Sequence, residues 1–199
     1  MSVARQGTAR VAAAGPVARR GNDDADAGAL VAPGCPLGAE ASAEAACPAS
    51  VHGVATGPAA ATRAVPWRAT DIDGHAWSSD ALRGRVVLVD FWATWCAPCL
   101  EDLPRLKRLH AREGPRGLTI IGVSLDRASA RDFRSWLQRQ AIAWPQVREP
   151  GQYESPLART FGVEAIPASY LFDRDGCLHA TSLRGEALEA RVTALVEAR

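Results

Sequence analysis

The chain has 199 residues, five cysteines and a formal net charge of +1 at pH 7. That length suits one domain with an appendage, and the balanced charge gives no basis for binding nucleic acid or another polyanion. No apolar run approaches the roughly 18 residues needed to span a bilayer. Lys107 is the only lysine, a skew towards arginine that, with so much alanine, reflects a GC-rich coding sequence rather than an arginine-based function.

The start, MSVARQGTARVAAAGPVARRGNDDADAG, lacks the apolar h-region of about 7–15 residues that a signal peptide needs. Arg19-Arg20 is followed by acidic residues rather than the apolar stretch of a twin-arginine leader, and LVAPGC, ending at Cys35, lacks the apolar segment that precedes a lipoprotein cleavage site. Residues 1–60 hold no Phe, Trp or Tyr, and Leu30 and Leu37 are their only leucines. Such a stretch buries too little apolar area to offset chain entropy. A disordered Ala/Gly/Pro-rich tail or linker is therefore expected over 1–62, with a folded domain over 63–199. Cys35 and Cys47 fall in the tail, either as incidental cysteines or as a short disulfide loop in an oxidising compartment.

In the domain, DIDGHAWSSDAL carries an Asp-Gly turn signal and predicts a small hairpin. RVVLVDFW (85–92) and LTIIGVSL (118–125) are continuous apolar runs that suit strands buried on both faces. Between them, PCLEDLPRLKRLHAREG predicts a helix with Leu100, Leu103, Leu106 and His110 near one face, a kink at Pro104 and a stop at Gly114-Pro115. Asp126 is placed to cap a second helix carrying Phe133, Trp136 and Leu137, and IAWPQV suggests a short strand. Ser155-Pro156 opens a short helix that Gly162 closes. ASYLFDRDGCLHAT predicts an antiparallel hairpin, in which Cys177 is a small packing residue, and a last helix starts near Glu186. Two buried strands joined through a helix must be parallel, and the hairpin adds antiparallel strands. The expected class is α/β, a mixed central sheet with helices on both faces.

FWATWCAPC (91–99) concentrates the chemistry. With a strand ending near Trp92 and a helix starting near Cys96, the unpaired N–H groups of the helix N-terminus stabilise a Cys96 thiolate. Cys99, one turn inward on the same face, is close enough to form a disulfide with it and should be less exposed. An exposed nucleophile with a protected resolving partner is the division of labour of thiol–disulfide exchange.

VDFWATWCAPC closely resembles the active site of the thioredoxin superfamily, and CAPCLEDLP, GVSLD and FGVEAIPASYLFDRDG resemble its TlpA/ResA-like branch over residues 67–199. The resemblance implies a thioredoxin-like fold and a thiol–disulfide oxidoreductase, with Cys96 attacking and Cys99 resolving. It matches Pro167 to the family's cis-proline, with the Ile166 backbone beside an extended substrate, and Asp90 to the buried acid that helps Cys99 lose its proton. TlpA-like proteins often carry asparagine there, so this chain departs towards thioredoxin. Asp102 stands where ResA-like proteins place a glutamate, one methylene longer, and Trp95 would shield the disulfide and bear on docking. Trp92 reads as core. Structural alternatives remain for the two acids: Asp90 as a carboxylate satisfied by water, Asp102 as an ordinary acid near a helix N-terminus.

The implied partners are protein disulfides and an upstream thiol reductant, with no nucleic acid, no cofactor or metal, and a monomeric state. The implied location is the cell envelope or periplasm, where cytochrome c maturation is one candidate role; the cytoplasm is the alternative. Ala97-Pro98 lacks the histidine of strongly oxidising relatives, which favours a reductant; disulfide formation or a non-enzymatic binding module are the alternatives. A zinc module lacks a second ligand pair. A peroxidase motif of the form Pro-x-x-x-Thr-x-x-Cys is not met, since Val89 and Ala93 occupy the matching positions.

Overall fold

The computed structural model describes Cys47 and residues 65–198. The predicted 1–62 tail, Cys47 apart, lies outside the described residues, and so do Arg19-Arg20 and Cys35. A small antiparallel hairpin, β1 (Arg68–Thr70) and β2 (Ala76–Ser78), opens the domain. The central sheet contains β3 (Val86–Trp92), β4 (Leu118–Ser124), β5 (Gln146–Arg148), β6 (Ala168–Phe172) and β7 (Leu178–Thr181) in the order β5-β4-β3-β6-β7. β3, β4 and β5 are parallel, while β6 and β7 run antiparallel to their neighbours. The α-helices among the described residues are α1 (Ala97–Glu113), α2 (Ala130–Arg139), α3 (Pro156–Phe161) and α4 (Gly185–Glu197). None of the described helices is long and apolar enough to cross a membrane.

Alternation along β3 distributes its side chains between two cores. Val87, Val89 and Phe91 pack with Ile121, Val123 and Leu157. Val86 and Leu88 pack with Leu103, Leu106 and Leu109 of α1 and Leu188, Val192 and Val196 of α4. Asp90 continues the second series, so the sheet turns a carboxyl towards the side that α1 and α4 cover.

Four sequence-based expectations change. α1 buries Cys99, Leu103, Leu106, Leu109 and Glu113 rather than Leu100 and His110. Glu113 is fully buried, yet its oxygens accept from Arg112 Nε (2.8 Å), Arg116 Nη1 (2.8 Å) and Thr193 Oγ1 (3.2 Å), which ties α1 to α4. The cap of α2 is Ser129, whose hydroxyl accepts from the Asp132 N–H at 3.1 Å; Asp126 lies too early in the chain and is engaged elsewhere. Cys177 is a disulfide partner: it bonds Cys47 (S–S 2.04 Å, Cα–Cα 5.6 Å) across a separation of 130 residues. A pairing of Cys47 with Cys35 is thereby replaced by one that only the folded chain brings together.

Candidate active site

Cys96 and Cys99 form a disulfide with Cα atoms 5.3 Å apart. Cys96 is the N-cap of α1, where its sulfur accepts the Cys99 N–H at 3.3 Å. A sulfur in this position receives the backbone donors that a cap oxygen ordinarily would, so a thiolate is favoured there. The expected difference in exposure is not present in the closed disulfide: Cys96 is 5 % and Cys99 6 % exposed. Both pack with Trp92, Ala93, Phe133 and Leu137, and Ile166 lies against the same cluster. Trp95, by contrast, is 55 % exposed beside the pair.

Two networks that sequence reasoning missed hold the loop before Cys96. Asp126 is buried; its carboxylate accepts from the Thr94 N–H (3.0 Å), the Thr94 hydroxyl (2.6 Å) and the Ser124 hydroxyl (2.8 Å). Trp92 Nε1 donates to Gln146 Oε1 at 3.0 Å, and Gln146 Nε2 donates to the Trp144 carbonyl at 3.4 Å. Gly122 is what lets that glutamine lie flat: a Cβ there would meet Gln146 Oε1 at 2.4 Å. No local signal marks Thr94–Asp126 or Trp92–Gln146, because each joins residues far apart in the chain.

On the inner side of the disulfide, a cavity of about 20 Å³ is lined by Asp90, Cys99, Asp102, Pro167, Ser169 and Arg184 among others. This is room for about one water molecule. The Ile166–Pro167 peptide is cis. Three residues singled out in the sequence, Asp90, Asp102 and Pro167, thus meet Cys99 in one cleft, whereas Trp95 and Ile166 do not line it. Asp90 is the one β3 residue not fully buried, but its carboxyl is enclosed enough for loss of solvation to dominate. That loss pushes its pKa up to about 7; the Arg184 charge pulls it down and the Asp102 charge pushes it further up. Asp102 does not stand free, since Arg184 Nε donates to its Oδ2 at 2.7 Å.

Residues 60–181 match the AhpC/TSA family. The chain belongs to that family. Within it, the relatives point to the TlpA/ResA-like thiol–disulfide oxidoreductases of the thioredoxin superfamily, as the residues predicted. The chain is 29 % identical over 107 residues to the thiol-disulfide oxidoreductase ResA of Bacillus thuringiensis (strain Al Hakam), a match covering 54 % of this chain and 60 % of that protein. The chain therefore spans less than two thirds of the length of this curated relative. Among solved structures, the thioredoxin domain of a thiol-disulfide oxidoreductase from Bacteroides vulgatus is 28 % identical with a TM-score of 0.62, covering 70 % of this chain and 99 % of that one. A thiol-disulfide oxidoreductase from Bacteroides fragilis is 26 % identical with a TM-score of 0.61, covering 67 % of this chain and 99 % of that one. The expected thioredoxin-like fold, a mixed sheet with helices on both faces, is the fold of this family member.

Proposed function

We propose that this chain reduces disulfides in other proteins by dithiol–disulfide exchange through Cys96 and Cys99. The observation that carries the reading is the geometry of the pair: a nucleophilic sulfur capping α1, its partner one turn inward, and a carboxyl with a pKa near neutrality in the cleft behind that partner. In the reduced protein the Cys96 thiolate attacks one sulfur of the substrate disulfide, forming a mixed disulfide and expelling the other substrate sulfur as a thiolate. The Cys99 thiol then gives its proton to the Asp90 carboxylate, directly or through one water. The resulting thiolate attacks Cys96 Sγ, releasing the second substrate thiolate and closing Cys96–Cys99. Two electrons pass from the pair to the substrate, and an upstream dithiol reductant restores them. Trp95, Ile166 and Pro167 are assigned to the docking of an extended substrate segment, and Asp102 to the electrostatics of the cleft.

The reducing direction is supported by Ala97-Pro98, which place no imidazolium between the cysteines to stabilise the reduced thiolate further. Location in the cell envelope is supported by Cys47–Cys177, since lasting structural disulfides belong to oxidising compartments. There, protein disulfides that must be opened before a further step, as in cytochrome c maturation, are the substrate class. Residues 1–62 are proposed as a tail or linker, tied to the domain at Cys47, and the active unit as a monomer.

The test is reduction of insulin by the purified full chain with dithiothreitol as electron source. Catalysed precipitation of insulin chains is expected, lost in Cys96→Ser. Cys99→Ser should instead retain captured protein as a mixed disulfide on Cys96. Full activity of Cys96→Ser would overturn the assignment, and absence of thiol-dependent capture would favour a binding module.

A further inference from the structure

Arg184 is a poor residue for the place it occupies. It is the N-cap of α4, yet its side chain makes no capping hydrogen bond, and its positive charge lies at the helix end that disfavours cations. A residue that breaks a local rule in this way points to a role elsewhere. The sheet itself carries Arg184 to the cleft. Ser169 is the register partner of Asp90; its hydroxyl donates to the Leu183 carbonyl at 3.0 Å, and its own carbonyl accepts the Ser182 N–H at 2.7 Å.

From there the guanidinium reaches the two residues that bracket Cys99 on α1. Its Nε donates to Asp102 Oδ2 at 2.7 Å, and its Nη2 lies 2.6 Å from the same oxygen and donates to the Pro98 carbonyl at 2.5 Å. A planar fork suits this shared contact, which a lysine ammonium does not reproduce.

Resting on the exchange mechanism above, we propose that Arg184 is a positioning residue for this site: it pins the first turn of α1 through Pro98 and sets the positive charge that faces the Asp90 carboxyl behind Cys99. The groups around Asp90 make the charge count simple. α1 supplies Asp102 and the Cys99 sulfur, the cap of α4 supplies Arg184, β6 supplies only the neutral Ser169, and β4 presents Gly122 opposite. One turn further along, Arg105 and Glu189 engage each other at 3.3 Å. Arg184 thus offsets Asp102, and loss of solvation dominates what Asp90 experiences. Without the guanidinium, Asp90 would face Asp102 alone and hold its proton to higher pH, leaving less carboxylate to accept the Cys99 proton at neutrality.

The experiment compares the full chain with Arg184→Met, which keeps an apolar stem, and Arg184→Lys, which keeps the charge. Carboxyl carbon NMR of the oxidised protein reads the Asp90 midpoint. Arg184→Met should raise it by on the order of one pH unit, at the low end of the effect of an adjacent opposite charge, while Arg184→Lys stays near the parent. With 5,5′-dithiobis(2-nitrobenzoate) as probe, release of the second thionitrobenzoate reports attack by Cys99 on the Cys96 adduct. In Arg184→Met this step should be about fivefold slower at pH 7, the fall in carboxylate fraction when a midpoint near 7 rises by about one pH unit, with its pH profile displaced upward by about one pH unit. Should Arg184→Met fail to fold, Arg184→Gln, still able to donate to Asp102, takes its place. An Asp90 midpoint unmoved in the uncharged variant, or moved equally by lysine, overturns the proposal. The midpoint is readable whether or not the parent reduces insulin, so failure of Arg184's role and failure of the reductase reading are separable.

Discussion

Replacing Asp90 by asparagine should stabilise the oxidised protein, mostly above acidic pH. The carboxyl rises from an ordinary 3.8 to about 7 in the fold, chiefly because the cleft strips its solvation. At pH values below 3.8 it is neutral in folded and unfolded chains alike, and its burial has no electrostatic cost. As pH rises from 3.8 to about 7, the unfolded chain gives up the proton while the folded one still holds it, so stability is lost across that window and the loss levels off once the folded carboxyl ionises. At about 1.4 kcal/mol per pH unit, the full cost is at most about 4 kcal/mol. Part of Asp90 reaches the cleft surface, so screening brings the expected gain from Asp90→Asn at pH 8.5 to about 2 kcal/mol. Urea unfolding of the two proteins at pH 8.5 and pH 4.5 measures it: a clear gain at the higher pH and about a quarter of that gain at the lower, where the unfolded carboxyl has only begun to ionise. The same substitution should slow release from the Cys96 adduct more than initial attack. Equal stability differences at both pH values, or destabilisation at pH 8.5, would refute the assignment of a solvation-starved carboxyl.

Two further expectations concern the frame. Loss of solvation raises the Glu113 carboxyl, but hydrogen bonds from Arg112 and Thr193 and the charges of Arg116 and Arg112 outweigh this and hold it below its ordinary value. Its contribution is therefore present above the ordinary carboxylate range and lost as pH falls through the folded value; Glu113→Gln should cost about 1–3 kcal/mol at pH 7 and progressively less in acid, measured by urea unfolding. Removing the second disulfide as Cys47→Ser with Cys177→Ser should cost about 2–5 kcal/mol of stability in a thermal melt while insulin reduction at low temperature is retained, since Cys177 lies at the close of the β6–β7 turn, just before β7, and not at the Pro167 end.

What was legible in the sequence was whatever depends on neighbours along the chain. The apolar runs of β3 and β4, the Ser155-Pro156 start and Gly162 end of α3, and the strand–WCAPC–helix junction are all written within a few residues. Chemistry at Cys96 and Cys99 was readable for that reason, and so was the family. What stayed hidden depends on register. Asp126 reads as a helix cap until the parallel pairing of β3 with β4 sets Ser124 beside Trp92 and gives its carboxylate to Thr94. Cys47 and Cys177 read as a tail cysteine and a packing residue, and nothing local marks a bond across 130 residues. Arg184 reads as one arginine among many. Its place follows from the antiparallel pairing of β3 with β6, which sets Ser169 opposite Asp90, and from the two bonds by which Ser169 holds residues 182–183. The exchange chemistry is thus local, whereas the electrostatics that time the proton at Cys99 are assembled by the sheet. Substitutions that disturb the β6 register near Ser169 should therefore alter the pH dependence of resolution before they alter the first attack by Cys96, whose helix cap does not depend on that pairing.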